Sequence, residues 1–256
     1  MLLPMRSFIL VRHGQSVFNA QGRLQGSLRH PRLTNLGKQQ AQECGAALAA
    51  SPLVNLGPLA FCSPLRRAQE TAEEIKIAFE SSDKAFPKEV LILNALSEIG
   101  LYSWEGRPKV EIEAESPEAY RLWRTDPANF HLGGHFPVRD LWHRARGAWE
   151  TMLRLTDEVA MRQPTAAVLV VGHYCMLQSL LCTAFSRDES SFWKFPWANG
   201  GALEIVWSGV GVEPEARRFY GSACQWRWLY PVTTEFVNAA SMSRFEIGLE
   251  DALGTI

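Results

Sequence analysis

Two apolar runs in the chain, "FILVRHG" at residues 8–14 and "AVLVVGH" at residues 167–173, each deliver a histidine at their end, His13 and His173. An imidazole just past a buried strand is either a satisfied core group or a reactive one, and its companions decide which. Arg12 directly precedes the first histidine, "SPLRRAQETA" brings Arg66 and Arg67 to a strand-to-helix junction, and "LSEIGLYSWEG" brings Glu98 to the end of another apolar run. Taken singly, Arg66 or Arg67 reads as a solvated charge on a helix, Glu98 as a loop carboxylate and His173 as a core or capping group. Gathered at one sheet edge, two histidines, several arginines and one carboxylate suit phosphoryl transfer.

The reason is charge. A phosphate monoester is a dianion, and its attack by a neutral imidazole needs dense, preorganised positive charge. Arginine meets this need because its planar fork binds phosphate oxygens in pairs. Nearby cations also lower the pKa of a nucleophilic histidine and keep it neutral. A carboxylic acid can then protonate the leaving alkoxide, and its conjugate base can activate the water that completes hydrolysis. Such chemistry needs no metal or cofactor. The sequence contains no HExxH, no calcium-loop pattern, no clustered Cys/His ligands, and neither GxxxxGK[ST] nor GxGxxG.

For these groups to meet, the elements that carry them must belong to one sheet. Residues 7–12 read as a buried strand, and "TNLGKQQAQECGAALAA" reads as a helix capped by Thr34, with Ala41, Cys44, Ala47 and Leu48 on one face. "LAFCS" at 59–63 is a short strand. Ser63-Pro64 then predicts an N-cap with proline at the first helical position, before Leu65, Ala68, Ala72, Ile75 and Phe79 at helical spacing. "EVLILNAL" predicts a further strand. Val138 to Gln163 is helical through Leu141, Ala145, Ala148, Met152, Leu155 and Val159, and "TAAVLVVGH" leads into a helix from about Tyr174 to Phe185. "GGALEIVW" gives another strand after the turn-prone Asn199-Gly200. Strands alternating with helices predict one α/β domain over residues 1–256, with a lid insertion at about 107–140 and a C-terminal tail at about 232–256. Ligands bind beyond the carboxyl ends of the strands in open α/β sheets, so His13 and His173 are expected to face each other across a crevice.

Composition limits the alternatives. A formal charge of −1 gives no global field to attract nucleic acid or an anionic membrane, so any preference for anions must be local. An apolar fraction of 46% supports a large core, and Trp123, Trp142, Trp149, Trp193, Trp197, Trp226 and Trp228 read as packing rather than a base-stacking platform. No apolar run reaches the roughly 18 residues of a membrane helix. Five cysteines, an odd number with no CxxC pair, read as reduced and mostly buried thiols; Cys175, although close to His173, has no evident base.

The segments "LVRHGQSVFNAQGRLQG", "LTNLGKQQA", "CSPLRRAQETA", "LSEIGLYSWEG" and "VLVVGHY" together resemble, in content and order, the histidine phosphatase or phosphoglycerate mutase-like superfamily over roughly residues 7–207. The resemblance implies a three-layer α/β sandwich with a mostly parallel central sheet and a small anionic phosphorylated substrate. By matching positions it implies that His13 is the phosphorylated nucleophile and that Arg12, Arg67 and His173 form the phosphate pocket. It also implies that Asn19 joins that pocket, that Gln25 approaches the substrate and that Glu98 is the proton donor. The register of "PLRRA" puts the family arginine at Arg67, and Arg66 is expected to point outward. Tyr174 departs from the Gly or Asn usual after the second histidine, and is expected to narrow the mouth or pack under the next helix.

"WRTDPANFHLGGHFPVRDLWHRARGAW" further resembles the plant and algal 2-carboxy-D-arabinitol-1-phosphatase group, which dephosphorylates a sugar-acid inhibitor of Rubisco. On this resemblance His135 and Arg139 are candidates for contact with a substrate carboxylate. The bland alternative has Arg139, Arg144 and Arg146 in helix-surface ion pairs with Asp140 and Glu150. The expected function is metal-independent hydrolysis of a small phosphorylated sugar acid, in the chloroplast stroma for a plant or algal protein and in the cytoplasm otherwise. The competing readings are a phosphoglycerate mutase and a non-catalytic phospho-ligand-binding module. "EIGLYSWEG" resembles the phosphatase form rather than the mutase "NERHYG" form.

Overall fold

β1 (Arg6–Arg12) is buried on both faces from Phe8 onward. Side chains alternate along a strand, so Phe8 and Leu10 enter one apolar cluster while Ile9 and Val11 enter a second on the opposite face. An unbroken apolar run therefore marks a strand covered on both sides, as parallel sheets require. The computed structural model describes residues 6–163, 165–195, 197–207, 224–230 and 237–238.

After β1 come α1 (Val17–Ala20), α2 (Asn35–Ala50), β2 (Leu56–Cys62), α3 (Arg66–Ser81), β3 (Glu89–Ile92), α4 (Lys109–Glu115), α5 (Pro117–Thr125), α6 (Pro137–Arg162), β4 (Ala167–Gly172), α7 (Tyr174–Ala184), β5 (Ala202–Trp207), β6 (Cys224–Tyr230) and β7 (Val237–Asn238). The sheet order is β3-β2-β4-β1-β5-β6-β7. Strands β3, β2, β4 and β1 are mutually parallel, and β5 joins β1 antiparallel, followed by antiparallel β6 and β7. Helices α2 and α3 cover one face through Cys44, Leu48, Ala68, Ile75 and Phe79. The other face is covered by α6 and α7 through Leu141, Ala145, Trp149, Leu177 and Leu180. This is the expected three-layer α/β fold with a mostly parallel centre. Trp149 meets Phe8 edge-on at 5.1 Å, and its indole N–H donates to the Leu180 carbonyl at 3.0 Å, so its burial leaves no orphaned donor.

Thr34 caps α2 as expected, accepting from the Gly37 N–H at 3.0 Å. Glycine is needed just there: a Cβ on Gly14 would lie 2.0 Å from the Gly37 carbonyl oxygen, and one on Gly37 would lie 2.0 Å from that of Gln15. The loop after β1 thus touches the first turn of α2 backbone to backbone.

Three expectations need correction. The run "EVLILNAL" is strand only to Ile92, because its ladder to β2 stops at Cys62, where β2 itself ends; a 3-10 turn at Asn94–Leu96 follows. Ser63 does not cap α3, which starts at Arg66. Its hydroxyl instead accepts from the Leu65 N–H at 3.2 Å and bonds His173, holding the chain in a turn before the helix begins. On α6 the buried face passes from Met152 to Thr156 and Ala160, which leaves Leu155 exposed, since a 3.6-residue period drifts off a strict i, i+3, i+7 pattern. The stretch between Gly106 and Val138 holds two short helices, α4 and α5, and Trp123 of α5 packs against Phe130, Phe192 and Trp193. The C-terminal tail expected at 232–256 lies outside the described residues, save Val237–Asn238.

Candidate active site

The register of the central strands builds the site. β1 pairs with β4 so that Arg12 stands opposite Gly172, and the next residue of each strand is therefore His13 or His173. Their rings lie 5.1 Å apart, tilted by 58°, and both are buried. Chain connections from β1 and β2 run over one sheet face and those flanking β4 over the other, which opens a crevice between β1 and β4 at their carboxyl ends.

His13 Nδ1 sits 2.7 Å from the Gly14 carbonyl oxygen. A carbonyl can only accept, so Nδ1 carries the proton and the lone pair belongs to Nε2. Arg67 Nε donates to that same Nε2 at 3.3 Å. Burial, and then the charges of Arg67 and Arg12, hold the His13 pKa well below the usual imidazole value. Asn199 Nδ2 donates to the His13 carbonyl at 3.0 Å and fixes the backbone behind the ring. The His173 pKa is also lowered well below the ordinary value, first by burial and then by Arg67. His173 Nε2 meets Ser63 Oγ at 2.6 Å, while its Nδ1 is buried with no hydrogen-bond partner among the described residues. An unmet buried nitrogen costs about 1–3 kcal/mol, a cost that a phosphate oxygen in the crevice would remove.

Two fully buried arginines flank the pair. Arg67 also donates from Nη1 to the Leu28 carbonyl at 2.9 Å and from Nη2 to that of Gly26 at 2.8 Å. Burial lowers its pKa to about 10, so it remains charged at neutral pH. Arg12 donates to the Trp197 carbonyl, and its guanidinium carbon lies 4.8 Å from the centre of the Tyr174 ring. Tyr174 therefore packs beneath the arginine as a cation–π platform, and burial pushes its phenol up to about 12. Effective burial of a charge costs several kcal/mol, and two cations beside two neutral histidines are worth that cost only where an anion is to be held. Arg66, in contrast, is exposed and pairs with Glu70 one turn along α3, as expected.

Glu98 is buried at the start of α7. Its Oε1 accepts from the N–H groups of Ile99 at 2.9 Å and Met176 at 3.1 Å, and Oε2 accepts from that of Cys175 at 3.1 Å. The helix N-terminus thus seats the carboxylate, close enough to Arg12 and Arg67 to act on both. Oε1 thus has both lone pairs engaged, while Oε2 keeps a second one. Cys175 is buried, and its thiol pKa is pushed well above the usual value by burial and Glu98, so it is no nucleophile.

Asn19 and Gln25 converge on Ser16, whose hydroxyl lies 3.0 Å from Asn19 Oδ1 and 2.7 Å from Gln25 Oε1. Asn19 and Ser16 also form the capping box of α1, which engages the Asn19 amide oxygen with the Ser16 backbone N–H at 3.0 Å. The lid candidates are engaged with other partners. His135 is exposed and stacks on Tyr102 at 4.5 Å. Arg139 donates to the Ala128 carbonyl at 2.7 Å and to Asn129 Oδ1 at 2.9 Å and lies over Phe136 at 4.3 Å, which pins the 128–136 loop to α6. None of these contacts is with the histidine pocket. Sequence reasoning missed Ser63, Asn199 and Ser16, and it counted Arg144 as a surface charge although Arg144 grips the backbone at Glu98. Ser16 lies two residues past "RHG" and Ser63 ends "LAFCS", which was the available signal; Asn199 offered none beyond its turn-prone pairing with Gly200.

A covered, mostly parallel sheet with two neutral histidines between buried arginines at its carboxyl edge defines an α/β protein built to hold a phosphoryl group. Residues 8–218 match the family model described as "Histidine phosphatase superfamily (branch 1)", and the chain belongs to that family. It is 38% identical over 208 residues to "Probable 2-carboxy-D-arabinitol-1-phosphatase" of Arabidopsis thaliana, covering 80% of this chain and 39% of the relative. It is 34% identical to "2-carboxy-D-arabinitol-1-phosphatase" of Triticum aestivum, covering 78% of this chain and 37% of the relative. The chain thus spans about two-fifths of the length of those two relatives. Among solved structures, mycobacterial glucosyl-3-phosphoglycerate phosphatase complexed with VO3 is similar at TM-score 0.63 and 25% identity, covering 78% of this chain and 92% of that one. No described helix is long and apolar enough to cross a membrane.

Proposed function

We propose that the chain is a phosphomonoesterase that works through a phosphohistidine at His13. The observation that carries this reading is the Gly14 carbonyl on His13 Nδ1, which leaves the Nε2 lone pair beside Arg67. Nε2 attacks phosphorus, the ester P–O bond breaks, and the departing alkoxide takes the proton of the Glu98 carboxyl. As the imidazole gains positive charge, Nδ1–H tightens its bond to the Gly14 carbonyl, while Arg12, Arg67 and His173 hold the phosphoryl oxygens. Water then attacks phosphorus and gives its proton to the Glu98 carboxylate, the N–P bond breaks, and inorganic phosphate leaves. His13 and Glu98 are both returned to their starting states.

The favoured substrate is a small phosphorylated sugar acid, 2-carboxy-D-arabinitol 1-phosphate or a related Rubisco-inhibitory sugar phosphate. The names of the Arabidopsis and Triticum relatives support it. In a plant or alga the reaction would then run in the chloroplast stroma, and cell fractionation tests that placement. The activity test is phosphate release without added metal from 2-carboxyarabinitol 1-phosphate, sugar bisphosphates, 2- and 3-phosphoglycerate and an aryl phosphate. A marked preference for the carboxylated sugar phosphate is expected. Interconversion of the phosphoglycerates without phosphate release would replace the hydrolase by a mutase, and the lack of an acid-labile phosphoenzyme would remove the covalent mechanism.

A further inference from the structure

Gly14, whose carbonyl sets the His13 tautomer, has no side chain to fix its own backbone. Side chains from three separate parts of the chain hold the two peptides that flank it. In the first peptide, Asn199 Nδ2 donates to the His13 carbonyl at 3.0 Å, and the Gly14 N–H at the opposite edge donates to Thr71 Oγ1 of α3 at 3.1 Å. In the second, the Gly14 carbonyl accepts from His13 Nδ1 at 2.7 Å, and the Gln15 N–H donates to Gln40 Oε1 of α2 at 2.8 Å. Thr71 is buried and gives its hydroxyl proton to the Arg67 carbonyl at 2.7 Å, so a lone pair is what it turns to Gly14. One hydroxyl therefore ties the residue after the nucleophile to the helical turn that carries Arg67. Helix α2 meets the same loop twice, by close backbone approach at Gly37 and by hydrogen bond at Gln40.

The C=O and N–H of a planar trans peptide point in opposite directions. Anchoring the Gln15 N–H on Gln40 therefore aims the Gly14 carbonyl at the imidazole. Were this peptide to turn over, its N–H would face Nδ1 instead. The ring would then favour its other tautomer, with the proton on Nε2 and no lone pair there for phosphorus. Glycine itself opposes such a rotation little, so the barrier comes from the acceptors that the two N–H groups would have to leave. The same carbonyl gains importance during the reaction, because a hydrogen bond from a cationic ring is stronger than one from a neutral ring.

We infer that Gln40 and Thr71 are positioning residues for the nucleophile: by clamping the peptides on either side of Gly14 they keep the proton on His13 Nδ1 and the lone pair on Nε2. The inference rests on the phosphohistidine reading and deepens it, since it assigns that site a tautomer lock built from α2 and α3. Both residues act through the backbone of the loop rather than by contact with substrate. Attack by Nε2 is common to every ester, so loosening the clamp should slow alkyl and aryl phosphates alike. A defect in proton donation, in contrast, spares esters with good leaving groups.

The test reads the imidazole nitrogens directly. Histidine-labelled wild type, Gln40→Leu, Gln40→Glu, Thr71→Val and Thr71→Ser are compared by long-range nitrogen–proton correlation NMR at pH 7.5, with His13→Ala identifying the His13 signals. The wild-type ring should carry its proton on Nδ1 alone. Gln40→Leu removes the acceptor and should shift the ring toward the Nε2-protonated tautomer, with kcat falling at least about tenfold on alkyl and aryl phosphates alike. Gln40→Glu keeps an acceptor oxygen and should restore the tautomer and most of the turnover. Thr71→Val should move both readouts in the same direction, and Thr71→Ser should restore them. A wild-type tautomer retained in Gln40→Leu and Thr71→Val overturns the lock whatever their turnover, and so does a changed tautomer with undiminished turnover. Should Gln40→Leu fail to fold, the two Thr71 variants decide by the same criteria. Should the wild type hydrolyse no ester, the phosphatase reading fails by itself, while the tautomer comparison, which needs no turnover, still upholds or overturns the clamp.

Discussion

Arg144 donates from Nη1 to the Ser97 carbonyl at 2.8 Å and from Nη2 to the Glu98 carbonyl at 2.9 Å. A residue on α6 therefore grips the backbone of the loop that carries the carboxylate, while the N-terminus of α7 seats the carboxylate itself. Burial lowers the Arg144 pKa, with Glu98 and Asp140 opposing, so the guanidinium is a half-buried tie rather than a free surface charge.

Arg144→Met should release the loop and let Glu98 lose its aim. Misplacement of a catalytic group by about an ångström can cost on the order of 100-fold. We expect kcat on alkyl phosphates to fall at least about tenfold while an activated aryl ester is hardly affected, with partial rescue in Arg144→Lys. A uniform loss on both esters would show a merely structural role.

Glu98→Gln should slow hydrolysis of esters with poor leaving groups by about 10²–10⁴-fold, because an amide cannot deliver the proton to the alkoxide. Aryl phosphates, which leave without protonation, should suffer far less. A Brønsted plot against leaving-group pKa reads the difference directly, and an unchanged slope would contradict the acid role.

His13→Ala should lower turnover on the order of 10⁴-fold or more and leave the far-ultraviolet circular dichroism unchanged, since the histidine lies beyond the last residue of β1. Substantial residual phosphate release from every ester would remove His13 as nucleophile.

Stability should depend on pH through His13 and His173, both held well below the ordinary imidazole value in the folded state. Below about pH 6.5 the unfolded chain takes up protons that the folded chain refuses, so unfolding is favoured as pH falls. Each histidine adds a slope approaching about 1.4 kcal/mol per pH unit, until pH reaches its folded pKa. Above about pH 7.5 the contribution is constant. Urea midpoints at pH 7.5, 6.5 and 5.5, in a buffer without phosphate, should drop about three times as far across the lower interval as across the upper; a midpoint that stays level from 6.5 to 5.5 would contradict it.

Gly14→Ala places a methyl group 2.0 Å from the Gly37 carbonyl oxygen, a contact only backbone movement can relieve. Overpacking of this kind costs about 1–3 kcal/mol. The displaced loop carries His13, so catalytic loss should exceed what thermal destabilisation alone predicts at 25 °C.

Local chemistry and periodicity were enough to read β1, β4, the Thr34 cap, the buried face of α3 and the two histidines just past strand ends. Each depends on residues within a few positions of one another, where hydrophobic period and capping chemistry act directly. The rest depended on register and on the crossing of distant elements. Ser63 looks like a helix cap in isolation, yet the folded chain brings it to His173, 110 positions away, at 2.6 Å. Arg139 and Arg144 lie five residues apart on α6, but one binds the 128–129 loop and the other the Glu98 backbone, because the helix presents them to different neighbours. The strand at "EVLILNAL" ended early because its partner ended, which no local propensity records. Residue types thus determined that phosphate chemistry was available to this chain; the β1–β4 register decided which side chains share the crevice, since pairing Arg12 with Gly172 sets the two imidazoles side by side.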